Sequence, residues 1–259
     1  MHPSQKGCTT SQYPKVIMAL KHTALFMICL ILLLSCVAVP AKADNPRYVD
    51  PEETVSLIKE GKALTVDTMS YIECMDHRIP GSICIALEEF DKNAPLLLKD
   101  KKRPIVFYCE SKNCERANEV YRKAAAMGYE DIYILQGGLP EWKSAGYEVE
   151  TTKRVRRMPV VSVKFNQLQK MMAEKKGLLI LDVRTEAMFN EGHIDGAINI
   201  PMYILHKKLH AIPHRPVIVV DENGKRSFIA CSFLINNGFK DVQRLFGGMN
   251  YKERQDKKK

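Results

Sequence analysis

The chain has 259 residues, 46% of them hydrophobic and 27% charged, a balance that excludes wholesale disorder and a multi-pass membrane protein and suits one large domain or two ordinary ones. The formal net charge is +9, but Lys6, Lys15, Lys21 and Lys42 all precede the first acid, Asp44, and the remaining excess sits in Lys99 to Arg103, Lys153 to Arg157 and Lys257 to Lys259. With Trp142 the sole tryptophan and no basic run interleaved with aromatics, nucleic-acid binding is not expected.

Residues 1–43 read as an export signal. Lys21 precedes a continuously apolar run from Ala24 to Val39, and Ala41-Lys42-Ala43 supplies a small-x-small cleavage site. The run is shorter than the about 20 residues of a bilayer-spanning helix. A retained anchor and a lipid on Cys36 are the alternatives, and a membrane is a partner only if the segment is uncleaved. Export places the mature protein in the periplasm or outside the cell, where thiols face oxidation. Cleavage leaves Cys74, Cys84, Cys109, Cys114 and Cys231. That number is odd, so at least one stands outside any intramolecular disulfide. No CxxC and no paired Cys/His cluster is present, so no metal site is expected.

Asp50-Pro51-Glu52-Glu53 combines an N-cap, an N1 proline and an acidic first turn, which predicts a helix to about Glu60, closed by Gly61. Leu64 to Asp67 and Ile105 to Tyr108 are short apolar runs suited to buried parallel strands. Strong helix formers fill the stretch from Cys114 to Met127, Gly128 ends it, and Ile132 to Leu135 reads as a third strand. The same order then recurs. Leu64 to Ile85 lies over Leu179 to Ile200, with Asp67 on Asp182; Arg103 to Cys109 lies over Arg215 to Asp221; Gly128 to Gly138 lies over Gly238 to Gly248. Three blocks in one order make a tandem duplication. Strands alternating with helices predict an α/β fold, a short parallel sheet flanked by helices on both faces, twice over. The boundaries are drawn at 46–150, a linker at 151–158, and 159–254.

Ligands of open parallel sheets bind beyond the carboxyl ends of strands. Cys109 stands there, one residue past Tyr108 and before the next helix. Loop amides entering a helix lower the pKa of a thiol held among them and equally hold an anion. Lys112 and Arg116 add positive charge; Glu110 and Glu115 oppose it.

These blocks resemble the rhodanese family: an Asp-containing strand (Asp67), a G-H-I-P-G-A-like segment (Ile79-Pro80-Gly81-Ser82), a strand ending in the cysteine (Tyr108-Cys109), and a closing Gly137-Gly138-Leu139-Pro140-Glu141-Trp142. The second copy repeats them as Asp182-Val183-Arg184, Gly192 to Ala197, Val220-Asp221 and Gly247-Gly248. The resemblance implies two tandem rhodanese-like domains and a sulfurtransferase without metal or organic cofactor. Its Cys109 would carry sulfur as a persulfide from a small sulfur-donor anion to a thiol or cyanide-like acceptor. The loop residues Glu110, Ser111, Lys112, Asn113, Cys114 and Arg116 are the implied substrate-binding set.

Both copies depart from the family pattern. Asp221 replaces the cysteine in copy two, which predicts an inactive domain. In copy one the C-x-x-G-x-R loop lacks its glycine, Cys114 takes the usual arginine position, Met69 stands where copy two keeps Arg184, and Arg78 stands where it keeps His193. These changes point to an altered pocket, and the absence of the C-G-S-G-V-like loop of mercaptopyruvate-using relatives leaves thiosulfate or polysulfide as the implied donor. Two other readings compete: a thiol-disulfide redox protein using Cys109 and Cys114, and a non-catalytic binding module. Cys74 and Cys84 read as core or pocket-wall residues, Cys231 as core, His77 as a surface residue with no chemistry, and Lys153 to Arg157 as a solvated linker face.

Overall fold

A computed structural model describes residues 45–60, 63–111, 115–152, 155–174 and 177–250. The export segment, Lys112, Asn113 and Cys114 all lie outside the described residues. The first copy runs β1 (Tyr48–Val49), α1 (Pro51–Lys59), β2 (Leu64–Asp67), α2 (Tyr71–Asp76), β3 (Ile83–Cys84), α3 (Phe90–Leu97), β4 (Ile105–Tyr108), α4 (Glu115–Ala126), β5 (Ile132–Leu135) and α5 (Gly138–Ser144). The second runs β6 (Val161–Val163), α6 (Phe165–Glu174), β7 (Leu179–Asp182), α7 (Glu186–Glu191), β8 (Ile198–Asn199), α8 (Met202–Leu205), β9 (Val217–Val220), α9 (Lys225–Asn236) and β10 (Val242–Leu245).

Each copy forms a five-stranded parallel sheet, ordered β1-β5-β4-β2-β3 and β6-β10-β9-β7-β8. The identical order is the structural form of the sequence repeat. The predicted strands fall where the apolar runs are, and Asp50 caps α1 in a full capping box with Glu53. Short elements such as β1, β3 and α2 carry too little periodicity to read in advance.

Alternate residues along β4 face opposite layers. Ile105 and Phe107 join Phe90, Val120 and Tyr121 on one face; Val106 and Tyr108 join Leu139 and Trp142 on the other. The copies share a core. Ile72, Cys74 and Met75 of α2 are buried in the same cluster as Leu205, Phe233 and Leu234 of copy two, and Val155 of the linker joins them. Arg226 pairs with Glu73, and Lys207 with Glu89, across this boundary.

Candidate active site

The ends of β2 and β4 lie side by side, Asp67 in register with Tyr108. From there the chain leaves β2 toward β3 and β4 toward β5, so the strand order switches direction at this point, which is where open α/β sheets form ligand crevices. Cys109 follows directly and is 2% exposed. The double glycine sets its backbone: Leu139 N donates to the Cys109 carbonyl at 2.8 Å, and a Cβ on Gly138, at φ +60°, would strike that carbonyl. Copy two repeats the arrangement, with Met249 N donating to the Asp221 carbonyl at 2.9 Å and Gly248 at φ +59°. The Gly-Gly motif is therefore the place where one loop backs onto another with no room for a side chain.

Cys109 heads a cleft of about 770 Å³ between the copies. Glu110, Ser111 and Arg116 line it with Cys109, opposite Arg226 and Phe246 of copy two. Glu110 and Ser111 are exposed. Arg116 is held in place, donating to Glu88 at 2.6 and 2.9 Å and to the Thr68 carbonyl at 3.3 Å. Of the predicted loop set, these three and Cys109 come together; Lys112, Asn113 and Cys114 lie outside the described residues.

Several readings of single residues need correction. Cys74 and Cys84 are bonded to each other, tying α2 to β3, and Cys109 is also disulfide-bonded; spacing of ten residues in one chain carries no such signal until α2 folds back against β3. Cys231 is the free cysteine among the described residues, buried in the core as expected, where burial pushes its thiol well above the ordinary range and leaves it inert. His77 is no bystander on the surface. Its side chain is 12% exposed, with Nδ1 2.6 Å from Asp76 Oδ2 and Nε2 3.0 Å from Glu110 Oε1. Those hydrogen bonds, to Asp76 first and then Glu110, raise it to about 9. The linker is not a solvated face throughout: Val155 is buried, and Arg157 donates to Asp76 at 2.8 and 3.2 Å and lines the cleft. Burial disfavours the Asp76 charge, but bonds from His77 and Arg157 overcome it and hold the carboxyl down to about 2. Arg78, at the position of His193 in copy two, pairs with Glu150 at 2.8 Å.

The second-copy loop is closed upon itself. Asp221 is buried, and its carboxylate accepts from Gly224 N and Arg226 N, each at 2.8 Å. Amides that would otherwise cradle an anion are occupied by the chain's own carboxylate.

Asp67 shows what Met69 changes. In copy two the buried pair Asp182 and Arg184 closes at 2.7 Å, and Arg184 also donates to the Gly192 carbonyl at 2.6 Å. The arginine is thus structural. Among the described residues, Asp67 is held by hydrogen bonds from Met69 N at 2.8 Å and from Tyr108, and burial pushes its carboxyl up to about 7. Between about pH 4 and about 7 the unfolded chain has released this proton and the folded chain retains it, so this group's contribution to stability falls as pH rises. Met69→Arg is expected to supply the missing cation and gain stability by a few kcal/mol more at pH 8 than at pH 4. Denaturant unfolding of both proteins across that range checks it; a gain independent of pH would contradict the unpaired buried carboxyl.

A duplicated parallel α/β sheet, with a cysteine at the switch point of one copy and an aspartate at that of the other, defines the class. The rhodanese-like domain family matches residues 50–145 and again 164–252, so the chain belongs to that family and carries its domain twice. A sulfurtransferase of Allochromatium vinosum is 32% identical over 83 residues, 32% of this chain and 78% of that protein. The thiosulfate sulfurtransferase GlpE of Shewanella oneidensis is 42% identical over 86 residues, 33% of this chain and 84% of its own. Among solved structures, the thiosulfate sulfurtransferase of Pseudomonas aeruginosa is similar at 18% identity, covering 81% of this chain and 42% of that one, with a TM-score of 0.40.

Proposed function

We propose that the chain is a sulfurtransferase that works through a persulfide on Cys109. The observation that carries this reading is the place of Cys109, at the switch point of the first sheet and at the head of the inter-copy cleft; the names of the relatives agree with it. In the first step the Cys109 thiolate attacks the outer sulfur of thiosulfate or a polysulfide. The new S–S bond forms as the old one breaks, and sulfite or the shortened polysulfide leaves with the electron pair. In the second, a thiolate or cyanide attacks the outer persulfide sulfur and Cys109 leaves as thiolate. Dividing one transfer into two displacements is ordinary nucleophilic catalysis.

The disulfide on Cys109 favours a redox extension of this chemistry. Cys114, five residues on, would attack Cys109 Sγ in the persulfide, form the Cys109–Cys114 bond and release hydrosulfide. A dithiol reductant, itself oxidised to a disulfide, returns both thiols. Export to an oxidising compartment fits this cycle, and the Cys74–Cys84 bond suits the same compartment. Copy two serves as scaffold and cleft wall.

Protein reduced with a dithiol, freed of it and treated with thiosulfate or polysulfide is expected to gain one sulfur, mapped by mass spectrometry to Cys109. In Cys114→Ser the added sulfur should persist longer. Sulfur gained elsewhere, or none at all, ends the proposal; equal lifetimes end only the resolving role of Cys114.

A further inference from the structure

His77 sits between two carboxylates, one belonging to α2 and the other to the residue that follows Cys109. Its backbone is fixed on both sides. Before it, α2 is buried in copy two's core; after it, Arg78 exchanges backbone hydrogen bonds with Glu150, and the Cys74–Cys84 bond closes the loop. Bridging two carboxylates takes two N–H donors, and only the doubly protonated imidazole has both. Among the described residues, the charged groups around it include Arg157, which holds Asp76 from the linker, Lys143 and Arg156, which share a neighbouring hollow with His77, and Glu73, Arg116 and Arg226, which line the same cleft.

We propose, building on the sulfur-transfer reading, that His77 is a positioning residue that latches and neutralises Glu110, keeping that carboxylate away from the sulfur of Cys109. Glu110 lines the same cleft as Cys109. Released, its charge can turn toward a site where the donor is an anion and the intermediate a persulfide anion, and like charges at close range oppose each other. The shorter contact to Asp76, 2.6 Å against 3.0 Å, decides which carboxylate goes when the imidazolium loses a proton: Asp76 retains the remaining N–H and Glu110 is freed. With His77 raised to about 9, the latch is closed at neutral pH and opens as pH rises through that value.

The test is thiosulfate-dependent sulfur transfer by reduced wild type, His77→Gln, Glu110→Gln and the double variant across pH 6 to 10. His77→Gln is expected to lower kcat/KM about tenfold at pH 7, through KM for the anionic donor more than kcat. The double variant should regain most of that loss, since the repelling charge is gone. The wild-type decline near pH 9 should be missing from Glu110→Gln. A His77→Gln loss that Glu110→Gln does not relieve, or a decline unchanged in Glu110→Gln, overturns the latch. Glu110 is exposed, so its variant remains informative even if His77→Gln fails to fold. Imidazole titration by NMR separates this proposal from the activity it builds on. His77 should titrate well above the ordinary histidine range in wild type and lower in Glu110→Gln, whether or not sulfur is transferred; a titration that Glu110→Gln leaves unmoved overturns the latch by itself.

Discussion

Cys109→Ser is expected to abolish sulfur transfer, a fall of at least about four orders of magnitude, because covalent catalysis loses its nucleophile outright. Asp221→Cys in that background is expected to restore none of it. The second-copy loop is built around a carboxylate that accepts from Gly224 N and Arg226 N at 2.8 Å. Arg226 is also engaged by Glu73 at 3.0 Å. A thiol there is one atom where the loop has arranged for two oxygens, so at least one amide loses its partner, at a cost of about 1–3 kcal/mol. The position is 1% exposed as well, leaving little access for a donor. Single-turnover transfer from polysulfide, followed by mass, reads both variants. Activity remaining in Cys109→Ser would move the reaction to another cysteine, and activity appearing with Asp221→Cys would show that copy two had lost only its nucleophile.

Truncation after Glu150 is expected to leave a first copy that aggregates or unfolds. Ile72 and Cys74 are fully buried and Met75 nearly so, within a cluster whose remaining members belong mainly to copy two. Uncovering apolar side chains of this size forfeits about 1.5–3 kcal/mol each, and two or three together approach the 5–15 kcal/mol that holds a typical domain folded. The truncation also removes Arg157, which holds Asp76, and Arg226, which pairs with Glu73 in α2. Lost solubility, or a melting temperature lower by more than about 10 °C, is the expected outcome. A soluble first copy with the stability of the whole chain would mean that the two sheets fold independently and that α2 finds other cover. Replacing Ile72 with Ala in the full chain is the milder version, expected to cost about 2–5 kcal/mol.

The sequence by itself determined the duplication, the parallel α/β class and the place of Cys109. These rest on local signals: the apolar runs from Leu64, Ile105 and Ile132 became β2, β4 and β5, and the Asp50 cap with Pro51 opened α1. The Gly137-Gly138 pair was legible as a motif, although its reason, the Cys109 carbonyl against Gly138, required the fold. What only the tertiary structure decided are relations between distant segments. Cys74 meets Cys84 because α2 turns back onto β3. His77 reaches Glu110 because the fold brings the end of α2 against the loop after β4. Arg157 leaves a charged linker to hold Asp76, and α2 of one copy enters the core of the other. Apolar periodicity and capping act within a few residues of the chain and can be read along it. Ion pairs, disulfides and shared cores depend on which surfaces the folded sheets bring within about 4 Å, a distance that no local pattern encodes.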